Sequence, residues 1–155
     1  DGGRHPLLTC ADLGKGRLYY VPLPLLTSHG KQAVPHPVLE EVFEQVLPAA
    51  ERLLGSDAPE TVEAVLRRQG DRQIVHLVNM APGEREVYQS DKRSYPLIRS
   101  LPAVEKCRIS IRRNERPVSV RLRPQDEAVE GWLYEGGRVA VDVPGFDVHQ
   151  MVVIE

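Results

Sequence analysis

The chain has 155 residues, 41% of them hydrophobic and 27% charged, with 20 basic against 22 acidic side chains and a formal charge of −2. That length holds one domain of common size, or a small domain beside a partial one, and the mixture is ordinary for a globular protein. No apolar run approaches the ~20 residues that span a bilayer as a helix. Charges of both signs are interspersed and set up no field for a polyanion, so neither a membrane nor a nucleic-acid partner is expected.

Taken in chain order, the first region runs over residues 1–57. It opens at Asp1-Gly2-Gly3 without Met or a signal-like apolar segment, which reads as a piece of a longer polypeptide. Apolar-rich runs at Pro6 to Ala11 and Arg17 to Val21 flank Leu13-Gly14-Lys15-Gly16, a spacing that predicts a β-hairpin over 6–22. Pro22-Leu23-Pro24 breaks regular pairing, and Thr27 to Pro37, with His29 and His36, reads as a loop. Leu39, Val42, Phe43, Val46, Leu47, Ala50, Leu53 and Leu54 then follow one face of an amphipathic helix. Pro37 suits its first turn, Glu40 and Glu41 the positive end of its dipole, and Gly55 its stop. Pro48 removes the backbone bond to Glu44, so a kink or break is expected there. A hairpin and one helix make too little core to stand alone, so this region must dock on something.

From residue 58 to 155 the period changes to two. Val62, Ala64 and Leu66 alternate with Glu63 and Arg67; Cys107, Ile109 and Ile111 with Arg108 and Ser110; Val118, Val120 and Leu122 with Arg121 and Arg123. Gln73 to Val78 is apolar on both sides, the pattern of a central strand. Trp132 to Tyr134, Arg138 to Val143 and His149 to Ile154 complete the set, with Gly136-Gly137 as a hairpin turn. The fold class is therefore mainly β with one helical segment: an immunoglobulin-like antiparallel β-sandwich preceded by a hairpin and an amphipathic helix. Residues 81–103 show no clear period and read as a long loop, mobile or interacting.

No catalytic constellation emerges from the residues. The histidines His5, His29, His36, His76 and His149 form no close ligand pair, and no CxxC accompanies them. His76 reads as a satisfied core histidine and His149 as a structural hydrogen-bonding group, which leaves His29 and His36 as the pair with any site potential. Gly14-Lys15-Gly16 fails the phosphate-loop test: Thr9 stands where the first glycine belongs, and Gly16 where Ser or Thr should follow the lysine. Cys10 and Cys107 each read as a small buried hydrophobe, with a disulfide between them left open. The arginine clusters read as solvated strand faces. No metal or cofactor is expected. Trp132 and Tyr134 share a strand face and are the candidate carbohydrate platform, since sugar rings pack on flat aromatic faces; the opposing expectation is that a sole tryptophan in a sandwich belongs to the core.

Gly14-Lys15-Gly16-Arg17-Leu18-Tyr19-Tyr20 and the leucine-rich helix after it resemble the end of the β-galactosidase trimerisation-type domain, which is flavodoxin-like. Val62 to Arg68, Gln73 to Asn79, and Val143-Pro144 through Val148 to Glu155 resemble the C-terminal β-sandwich of the same bacterial glycoside hydrolases. The resemblance implies a remnant of an α/β domain at 1–57 and a sandwich at 58–155. It implies a glycosidase parent acting on galactosides, fucosides or similar sugars, whose catalytic carboxylates belong to a (β/α)8 barrel and match no position here. The expected partners are the rest of that chain or a second copy. Exposed aromatics would add carbohydrate, and a cytoplasmic location is expected over a secreted one.

Overall fold

A computed structural model describes residues 6–22, 26–29, 32–35, 38–90 and 93–155. The chain forms two units, divided between Arg52 and Leu53.

In the first unit, strands β1 (Thr9–Leu13) and β2 (Gly16–Tyr20) pair antiparallel from Thr9 opposite Tyr20 to Leu13 opposite Gly16. The two residues between them begin with Gly14 at φ +60°, the left-handed value that a two-residue turn demands and a side chain resists. The expected hairpin is present, and its Leu13, Leu18 and Tyr20 are exposed. The expected loop over Thr27 to Pro37 instead contains a second hairpin, β3 (Leu26–His29) with β4 (Gln32–Pro35). Pro35 suggested a break but takes the last position of β4, opposite Leu26, where a missing donor costs least. Pro37 lies outside the described residues.

Helix α1 (Leu39–Val46) is shorter than its periodicity predicts. Glu40 and Glu41 occupy its first turn, and the chain leaves the helix at Leu47 because Pro48 has no N–H to return to Glu44. A 3-10 turn, Ala49–Glu51, follows, and Arg52 pairs with Glu44 across the break. Val42 is the buried residue of α1, while Phe43 and Leu47 remain exposed. Gly55 is not the helix stop. Leu54–Ser56 is strand β5 of the second unit, and this is why the division falls earlier than residue 57.

The second unit is an antiparallel sandwich. Its remaining strands are β6 (Val62–Gln69), β7 (Arg72–Asn79), β8 (Glu84–Ser90), β9 (Arg93–Ser100), β10 (Cys107–Arg112), β11 (Val120–Arg123), β12 (Glu127–Ala128), β13 (Leu133–Glu135), β14 (Arg138–Val143) and β15 (His149–Ile154). One sheet has the order β12-β11-β15-β7-β6, the other β13-β14-β10-β5. The expected central strand is central: β7 lies between β15 and β6. Period-two alternation sends Val75 and Leu77 of β7, Ile109 and Ile111 of β10, Val139 and Val141 of β14, and Val152 and Ile154 of β15 into one core. Gly136 and Gly137, both at positive φ, turn β13 into β14. Cys107 is buried as expected, and burial pushes its thiol up; Cys10 is exposed, contrary to expectation, because both faces of the β1–β2 hairpin are open. Both thiols are free. Val118 also departs from expectation: it is exposed and precedes the strand, which begins at Val120.

Residues 81–103 are not an irregular loop. They contain the ribbon β8–β9, paired from Glu84 with Ser100 to Ser90 with Arg93. Pro96 hides this strand in the sequence, yet a two-stranded ribbon leaves each strand an unpaired edge where proline breaks no ladder bond.

Candidate functional site

Alternation along the five-stranded sheet sets its outer face. Glu63, Val65 and Arg67 of β6, Ile74, His76 and Val78 of β7, and His149, Met151 and Val153 of β15 point away from the core. His76 lies opposite Val65 on one side and Met151 on the other, and His149 lies opposite Val78, which makes the two histidines diagonal neighbours. His76 Nδ1 lies 3.2 Å from His149 Nε2, with the ring planes 8° apart and the centroids 5.4 Å apart. That centroid distance nearly equals the nitrogen separation plus the two ring radii. The imidazoles therefore lie side by side in one plane, joined edge to edge, rather than face to face.

His76 is thus half-buried on the solvent side of the sheet and not in the core. A run that is apolar on both sides does not reveal which neighbour its histidine will meet. Burial, then His149, then Arg67 lower the pKa of His76. A group held below its unfolded value leaves the folded state short of a proton as the medium is acidified. Stability is therefore expected to be full above about pH 6.5 and to fall below it, more in the parent chain than in His76→Gln; urea melts across that range check this.

Trp132 and Tyr134 are both half-buried and pack against the sandwich core. The Arg116 guanidinium lies 5.2 Å from the Trp132 ring centroid, and the Tyr134 hydroxyl donates toward the carbonyls of Arg113 (3.3 Å) and Asn114 (2.8 Å). Both aromatics are therefore engaged in holding the β13 edge, while Leu133 between them faces solvent. His29 and His36 are not brought into any described site, because their side chains lie outside the described residues.

Ion pairs occupy the outer strand faces. Arg121 and Arg123 meet Asp126 at 2.7 and 3.0 Å. Arg108 and Lys106 bond Asp142 and pull its carboxyl down to about 2. A polar cleft of about 370 Å³ is lined by Arg68, Asp71, Gln73, Arg113 and Glu115 among others. Its Arg113 is used structurally, donating to the Asp71 carbonyl at 3.1 Å and toward Gln73 Oε1 at 3.4 Å. Among the described residues, no group of three or more His, Cys, Asp or Glu side chains gathers in metal-binding geometry. No described helix is long and apolar enough to cross a membrane.

The exposed apolar side chains concentrate on the β8–β9 ribbon. Val87, with Pro96 and Ile98 across from its face, and Tyr88, with Tyr95 and Leu97, present apolar surface on both sides. Neither sheet of the sandwich covers this ribbon through strand pairing.

No protein-family profile and no curated protein matches this chain. Among solved structures it is similar to α-L-fucosidase isoenzyme 2 from Paenibacillus thiaminolyticus, with a TM-score of 0.55 and 24% identity over 73% of this chain. The matched part is 16% of the fucosidase chain, so this polypeptide has the fold of a small part of a much larger molecule.

Proposed function

We propose that this chain is a non-catalytic C-terminal accessory module of a glycoside hydrolase of β-galactosidase-like kind, supporting folding, domain packing or oligomerisation. The observation that carries the reading is the fold likeness to a 16% portion of an α-L-fucosidase chain. The ribbon supports the packing role: Val87, Tyr88, Tyr95, Leu97 and Ile98 are all exposed, and apolar side chains gathered this way favour a partner surface. On this reading the parent enzyme acts on a sugar glycoside through residues of another region, and the N-terminal unit belongs to an α/β domain. The free state of both cysteines fits a cytoplasmic location.

Two measurements test it. The chain alone is expected to leave aryl fucosides and aryl galactosides intact; turnover that survives repurification would overturn the non-catalytic reading. Light scattering at rising concentration is expected to show association that Leu97→Glu with Ile98→Glu reduces. A particle that stays monomeric throughout, and is indifferent to that double change, argues against a packing surface on the ribbon.

A further inference from the structure

The paired imidazoles on the outer face of the five-stranded sheet have a use that the accessory role does not require. They sit on β7 and β15, two strands held in register over six residue pairs, so their backbones are fixed relative to one another. Their facing nitrogens are 3.2 Å apart. Two imidazole nitrogens bound to one tetrahedral ion at ~2.0–2.1 Å would lie about 3.3 Å apart. The separation already matches. What differs is direction, because the nitrogens now point at one another. Modest rotation of each ring about its soft terminal torsion turns both toward a common point above the sheet.

We propose that His76 and His149 form a chelating site for a divalent transition-metal ion, Cu(II) or Zn(II), which displaces the proton shared between the two rings. The bond that exists without metal is N–H···N, with one ring donating and the other accepting. The ion takes a lone pair from each nitrogen. The donating ring passes to its other tautomer, its proton leaving the facing nitrogen while the far ring nitrogen takes one up, so both rings stay neutral and no net proton is released. Water fills the remaining positions, since no third His, Cys, Asp or Glu among the described residues completes a cluster. Imidazole suits both ions, with copper binding the tighter. Partial exposure keeps the cost of bringing in a cation low. Among the charged neighbours on this face, Arg67 opposes the cation and Glu63 favours it. The inference is independent of the glycosidase reading.

Titration calorimetry with Cu(II) and with Zn(II) salts tests the site, alongside Cu(II) paramagnetic resonance to count coordinating nitrogens. The parent chain is expected to bind one ion through two nitrogens. His149→Gln and His76→Gln are each expected to weaken binding on the order of 100-fold, because the second ring acts at high effective concentration once the first is bound. The double variant should lose binding at this face altogether, since neither imidazole remains. His149 is exposed, so its replacement leaves the fold intact, as circular dichroism will show, and that variant decides the question if His76→Gln fails to fold. Binding unchanged in His149→Gln, or lost only when His5, His29 and His36 are replaced, overturns the proposal.

Discussion

Ile109→Ala is expected to cost the sandwich about 3–4 kcal/mol and to lower its melting temperature by roughly 15 °C. Ile109 has no exposed surface and sits mid-strand in β10, opposite Val141 of β14 and Ser56 of β5. Its side chain belongs to the cluster that includes Val75, Leu77, Val152 and Ile154 of the facing sheet. The substitution removes buried methyl groups between two sheets whose backbones are fixed by ladder bonds. The hole can close only if the sheets approach, and their other layers of side chains prevent that. Ile109→Val should lose only about 1 kcal/mol, since most of the volume remains. Denaturant melts of the pair measure the difference; near-equal stabilities of the two variants would mean that the core relaxes around the site.

Asn79→Ala is expected to cost about 2–4 kcal/mol for a different reason, the loss of donors to buried carbonyls. Asn79 ends β7, is 6% exposed, and donates from Nδ2 to the carbonyls of Pro102 (2.8 Å) and Asp147 (2.7 Å). Its Oδ1 accepts the Ala81 N–H at 3.1 Å. One amide thus fastens the connection that leaves β7, the segment before β10 and the segment before β15. The latter two also meet through the Val104–Phe146 bridge. Asn79→Asp is the sharper probe. An ionised carboxylate offers those carbonyls no proton, so this variant should be the less stable near neutrality. It should regain stability on acidification, because the protonated acid can donate one bond and the folded state then binds the extra proton more tightly. An Asp variant whose stability shows no such gain at low pH would indicate that water replaces the amide.

The sandwich was legible because its strands carry their own evidence. Where one face is dry and one wet, side chains must alternate, and β10 and β14 do. The ribbon β8–β9 was not legible for the converse reason. With Tyr88 on one face, Val87 on the other and both exposed, no burial imposes a period. The helical spacing continues through Leu53 and Leu54 by coincidence, past the end of α1, because the sheet takes the chain from Leu54 as strand β5. The local apolar run around Cys10 predicts burial, yet its hairpin stands open on both faces.

The histidine pair marks the boundary most clearly. His76 and His149 are far apart in the chain, and each looks solitary within its own strand. Residue order determined that β7 and β15 are strands and that Pro48 ends the helix. Only pairing across the sheet decided that β15 lies beside β7, in the register that sets Met151 opposite His76 and brings His149 within reach of it. A strand's periodicity is a local response to one wet and one dry face. Its choice of neighbour depends on the fit of the whole core, which no single segment contains.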